Sequence, residues 1–275
     1  MHRYVPACLL AALSIATYAS QTATAVAQTS DGYLLRLICD ARNVKESTCA
    51  KAKGYPDGRA CNVELQETRA EGHYLSANST ILLVVYQSDC EAHATNNGGS
   101  LVFEKRGATV VFKGYQQGLV VTDCTSVAKG TGQEHLICTT GYLGQGHAVT
   151  TLSEIVFTQH IAKKVKAALD VLVEATDDSG AYGANRVECK TTFKLFNLSL
   201  PKPGPAPNTV LVQAQYADSD LIRKACAPGR KPPTEAIEPA PSGEAYVKDG
   251  ELREGRFVVD LATRKIAPQP AATAK

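Results

Sequence analysis

The chain has 275 residues, with 29 Lys and Arg against 27 Asp and Glu, a net charge of +2, no Trp, and aromatic residues at 6%. Near-neutrality and scarce rings argue against the basic, aromatic-bearing face suited to nucleic acid. Beyond the first 19 residues no apolar run reaches the roughly 20 residues that a membrane-spanning helix needs.

Residues 1–27 read as a signal peptide. His2 and Arg3 form a short cationic start, residues 5–19 are an apolar stretch too short to span a bilayer, and Ala25-Val26-Ala27 ends a small-residue segment as a cleavage site. The spacing predicts cleavage after Ala27, which leaves eight cysteines: Cys39, Cys49, Cys61, Cys90, Cys124, Cys138, Cys189 and Cys226. An even set spread along the chain, with no C-x-x-C pair, predicts disulfides rather than a metal site. The compartment expected from both signals is the periplasm or the extracellular space.

Residues 28–158 are expected to form a β-rich, disulfide-containing domain with a short helical entry. Ser30 or Asp31 starts a short helix carrying Leu34, Leu35, Leu37 and Ile38, and residues 45–53 predict a second, stopped by the turn formers of Gly54-Tyr55-Pro56-Asp57-Gly58. From residue 61, short runs rich in Val, Ile, Leu, Phe, Tyr and Thr recur between Gly, Asn and Asp punctuation. They predict strands over 62–67, 81–87, 101–105, 109–114, 119–122, 135–139 and 148–157, with turns at Asn96-Asn97-Gly98-Gly99 and Arg106-Gly107. Cys124 and Cys138 lie almost symmetrically about Lys129-Gly130-Thr131-Gly132, which predicts a hairpin with the two sulfurs facing.

Residues 159–227 predict a second β-rich segment, either part of the same domain or separate. Ile161, Val165, Leu169 and Leu172 recur at helical spacing while Leu169, Val171, Val173 and Ala175 alternate. The expectation is a helix to Ala168, a strand to Thr176, a turn at Asp177-Asp178-Ser179-Gly180, and a returning strand over 186–200. The proline run at 201–207 predicts an irregular connector, and 209–216 a last strand. Cys189 and Cys226 are expected to tie this part together. Residues 228–275, rich in Pro and Ala, predict a largely disordered region with at most one edge strand over 257–261. The fold class is therefore mainly β: an antiparallel sandwich, barrel-like or meander arrangement with one to three short helices, braced by disulfides.

No side-chain constellation names a chemistry. His93, Asp123 and Ser179 follow the order of a serine protease triad, but Asp177 and Ala181 stand where its serine motif has glycines. His135 and Cys138, three apart on a strand, point to opposite faces and cannot chelate together. Glu71, Asp89, Glu91, Asp123 and Glu134 sit near strand ends without the spacing of a glycosidase pair. Asn78-Ser79-Thr80 and Asn197-Leu198-Ser199 have the form of glycosylation acceptors. The loop Gly141–His147 reads as a wide hairpin, with Tyr142, Gln145 and His147 as the candidate ligand-binding residues. The expected function is a non-enzymatic binding or envelope-associated protein that needs no cofactor, partnered by a protein or an envelope component. A secreted hydrolase with a site assembled from distant residues, and a periplasmic metal-binding protein, are the alternatives.

Overall fold

A computed structural model describes residues 30–90, 98–160 and 164–269. The expected signal peptide at residues 1–27, and Glu91, His93, Asn96, Asn97 and Ile161, lie outside the described residues.

The entry segment holds helix α1 (Asp31–Arg36) and the two-residue strands β1 (Val44–Lys45) and β2 (Thr48–Cys49). Long strands follow: β3 (Val63–Ser76), β4 (Ser79–Ser88), β5 (Gly98–Arg106) and β6 (Thr109–Gln117). All six pair antiparallel in sequence order, a meander whose open edge is β6. One face of this first sheet packs Leu65, Leu82, Val84 and Phe103 against Leu34, Leu35, Ile38 and Tyr55 of the entry segment. The opposite face carries Ile81, Leu83, Val85 and Val102. Because both faces are covered, β4 shows a continuous apolar run from Ile81 to Tyr86 instead of alternation.

The second sheet is again a meander: β7 (Cys124–Gly130), β8 (Gln133–Gly144), β9 (His147–Gln159) and β10 (Val165–Asp177). Leu136, Ile155, Phe157 and Val165 close the core shared with the first sheet. Its other face, with Ile137, Leu152, Val173 and Ala175, meets a third sheet through Leu195, Leu198, Val212, Phe257 and Val259. That third sheet orders β12 (Phe193–Pro203), β13 (Thr209–Asp218), β15 (Arg253–Asp260) and β16 (Lys265–Pro268). Helix α2 (Ser179–Tyr182) precedes β11 (Asn185–Glu188), which pairs with β14 (Glu244–Val247). With helix α3 (Ser219–Ala225), this ribbon covers the far face of the third sheet through Val187, Phe196, Leu221, Ile222 and Val247. The result is a stack in which each of the three larger sheets lies between two apolar layers.

Four disulfides brace it. Cys39–Cys49 and Cys61–Cys90 pin the entry segment, whose elements are too short to be stable alone. Cys124 and Cys138 are directly opposite across the β7–β8 hairpin, with a Cα separation of 4.1 Å, as the symmetry about Lys129–Gly132 predicts. Cys189–Cys226 joins the end of β11 to the end of α3.

Several expectations are corrected. Residues 45–53 hold no helix: Glu46 and Lys51 adopt positive φ, and the segment turns twice to add β1 and β2 to the sheet. The helix expected to Ala168 is absent from the described part of that segment. Residues 165–168 open β10, paired in register with residues 159–156 of β9. The strand expected over 186–200 is two strands in different sheets, and residues 201–203 of the expected connector extend β12. Asp177–Gly180 leads into α2 instead of a hairpin turn.

The region from 228 is structured through residue 268. Residues 228–243 hold no regular element but are anchored: Arg230 donates to both oxygens of Glu251 at 2.9 Å, and the Ile237 amide donates to the Tyr182 carbonyl. Gly183, at φ 74°, allows this crossing, because a Cβ there would run into the Glu235 carbonyl. The expected edge strand at 257–261 is β15, an interior strand between β13 and β16.

Candidate binding groove

The open edge of the first sheet lies beside the β9–β10 corner of the second. Gln116 links them: its Nε2 donates to the Val165 carbonyl at 2.9 Å, and its Oε1 accepts the Ala167 amide at 3.0 Å. A register shift around Lys113 bulges β6 here, with Gly114 in a conformation (φ 155°) open to glycine. The edge thus turns away from further pairing and leaves a groove of about 840 Å³. This is within the size range of small-molecule sites.

Its apolar surface comes from Pro56, Val111, Phe112 and Tyr115. Val111, on this edge strand, is 41% exposed. Tyr115 Oη donates to the Lys53 carbonyl at 2.9 Å, which fixes the Lys53–Gly54 wall, and burial raises the pKa of that phenol.

The charge lining the groove is one-sided. Lys53, Arg106, Lys113, Lys164 and Lys166 contribute cations, with His160 beside them, against one described carboxylate, Glu104. Glu104 and Lys113 form a buried ion pair at 2.6 Å, with side chains 5% and 7% exposed, and Arg106 meets the second Glu104 oxygen at 3.0 Å. Burial by itself would raise the Glu104 pKa. The hydrogen bonds from Lys113 and Arg106 outweigh it and hold the carboxyl below its usual value. Lys53 is paired with Asp40, whereas among the described residues neither Lys164 nor Lys166 is ion-paired.

The loop singled out in the sequence lies elsewhere. Tyr142 is 54% exposed at the β8–β9 end, Gln145 occupies the turn at φ 51°, and His147 packs edge-on to Tyr182 at 5.4 Å. His147 Nδ1 lies 3.0 Å from Asp178 Oδ1, with Ser179 next in sequence. Asp178 is a hub: Arg186 and Lys194 approach its other oxygen at 3.7 and 3.6 Å, and its amide donates to Asn185 Oδ1. Fully buried Asn185 passes the link on to Asp249. Burial lowers the Lys194 pKa against the opposing pull of Asp178. With Arg186, Lys194 and His147 around it, the Asp178 carboxylate serves as a junction between the second sheet, α2, β11 and β12. Near the same end, Tyr246 Oη and Arg230 Nη1 have no hydrogen-bond partner among the described residues, and both residues line a cavity of about 460 Å³.

The other sequence candidates are each held by separate partners. Glu71 pairs with Lys105, Asp89 accepts from Asn62, Glu134 accepts the His73 amide, and Asp123 accepts the Leu200 amide. His135 is bonded to Glu154, and Cys138 is in a disulfide, so it offers no thiolate. Cys61, Asp89 and Cys90 lie close together, but both sulfurs are bridged. Asn78 and Asn197 are exposed. No protein-family model matches the chain, and comparison with curated proteins and with solved structures finds no match.

Sequence reasoning missed the groove because its parts come from residues 53–56, 104–116, 160 and 164–166, brought together only by the stacking of two sheets. The basic run at Lys163, Lys164 and Lys166 was its one readable signal.

Proposed function

We propose that the mature chain is an exported binding protein without catalytic activity, and that the groove beside β6 is its ligand site. The observation that carries this reading is the groove itself, apolar in its floor and cationic in its lining on a chain of nearly balanced charge. Export is supported by the signal-peptide pattern at residues 1–27 and by the pairing of all eight later cysteines. The absence of catalysis is supported by the partners of the described candidate acids and of His135 and His147, which link elements of the fold.

The test is a fragment screen on the secreted, isotope-labelled protein, read by backbone amide shifts. Perturbations grouped on residues 111–116 and 164–167 support the reading. Perturbations grouped around His147 and Tyr182 instead, or turnover of chromogenic ester, peptide or glycoside substrates abolished by His147→Ala, overturn it in favour of a hydrolase.

A further inference from the structure

We infer that the groove takes a single-chain anionic amphiphile, an aliphatic or aromatic tail ending in a phosphate or carboxylate. This deepens the reading of the groove as a ligand site and rests on it.

Two sets of neighbouring residues impose the two halves of the ligand. Val111, Phe112 and Tyr115 form an apolar surface along the β6 edge, and desolvating a tail there is favourable in proportion to the area covered. Lys164 and Lys166 stand on the β10 side, exposed and not ion-paired among the described residues, so they are available to an incoming anion. Deeper in, the Glu104 carboxylate faces two cations, Lys113 and Arg106. A neutral tail leaves these charges unanswered, whereas an inorganic anion leaves the apolar floor in water. Only a molecule with both parts complements both surfaces. The concave shape, walled by Lys53–Gly54 and by the Gln116 clasp on β10, suits one molecule entering from solution better than a flat membrane surface.

The test uses three probes on the full mature protein: monomeric dodecyl phosphate, dodecyl maltoside and inorganic phosphate, by calorimetry and amide shifts. Dodecyl phosphate is expected to bind with shifts on residues 111–116 and 164–167, at least about tenfold tighter than either other probe. Binding should weaken as salt rises, because exposed charges are screened beyond about 8 Å at physiological ionic strength. Lys164→Glu with Lys166→Glu is expected to weaken it about tenfold with unchanged melting temperature. Val111→Ser is expected to weaken it about fivefold through lost tail contact.

Equal affinity for dodecyl maltoside overturns the anionic class while leaving the groove as a site. Shifts from none of the three probes, or shifts outside the groove, overturn the groove reading as well. Cosedimentation with intact phosphatidylglycerol vesicles but no binding of monomeric dodecyl phosphate overturns single-molecule uptake in favour of a membrane-docking surface.

Discussion

Glu104 and Lys113 offer a sharp test of how the groove end is held. Their side chains are 5% and 7% exposed and meet at 2.6 Å. At an effective dielectric constant of about 20 the attraction at this distance is about 6 kcal/mol, and desolvating both ions consumes much of it. Glu104→Met takes the carboxylate away from the buried Lys113 ammonium, and Lys113→Met leaves the Glu104 carboxylate with Arg106 as its remaining cation among the described residues. Removing one partner of a buried pair costs about 3–5 kcal/mol, whereas replacing both with apolar groups is far cheaper. For a fold of this size, that loss lowers the melting temperature by about 6–20 °C. The expected pattern in urea unfolding, followed by circular dichroism, is two strongly destabilised single variants and a double variant more stable than either. Acid adds a second signature. The folded-state pKa of Glu104 lies below its unfolded value of 4.5, so its contribution is present above pH 4.5 and is lost as the pH falls through the folded value. Glu104→Met should lack that part of the acid loss. Single variants that each lose under about 1 kcal/mol and add independently would refute the reasoning, because they would place the pair in water.

Replacing Cys124 and Cys138 together by Ala is expected to cost about 3 kcal/mol in the chain-entropy account of a 15-residue loop, read from urea midpoints with the other disulfides intact. Tyr74 stacks on Phe157 at 5.5 Å and bonds Ser126 at 2.8 Å; burial raises its pKa to about 12. A titration followed at the tyrosinate absorbance should show a late phase that Tyr74→Phe removes. Because the unfolded phenol ionises near 10, the folded state should lose stability as pH rises from about 10 to 12. Asn185→Ala should cost about 2–4 kcal/mol, since it strands the Asp178 amide and one bond to the Asp249 carboxylate in a fully buried position. A loss below 1 kcal/mol there would show that the Asp178 junction does not hold the sheets together.

The Asp178 junction and the groove were legible in the sequence to different degrees. His147 stood out through its glycine-flanked loop, and the structure links it to α2 through Asp178 and Tyr182. The groove residues carry no local pattern, because Val111 and Lys113 read as ordinary members of a strand.

Strand β10 shows why periodicity misled. A register shift between Val171 and Val173 lets Leu172 and Val173 both turn inward, while Leu169 and Val171 remain 42% and 44% exposed. The bulge breaks the alternation, and the remaining spacing of Val165, Leu169 and Leu172 imitates a helix. Strand β15 was legible only in part, for a different reason. Phe257 and Val259 face the buried layer, while Arg253, Glu254 and Arg256 precede them and lower the apparent strand character of its first half.

The sequence by itself determined the local features: the mainly β class, most strand positions in 61–158, the entry helix, and the Cys124–Cys138 hairpin. Each depends on side-chain alternation or on turn residues within about 15 positions, which the chain carries wherever it is placed. Only the tertiary structure decided the order of the stacked sheets, the fate of residues 228–268 and the groove at the β6 edge. These depend on contacts between residues far apart in sequence, such as Gln116 with Val165 and β13 with β15, whose pairing follows from which apolar faces remain to be covered once the local strands exist.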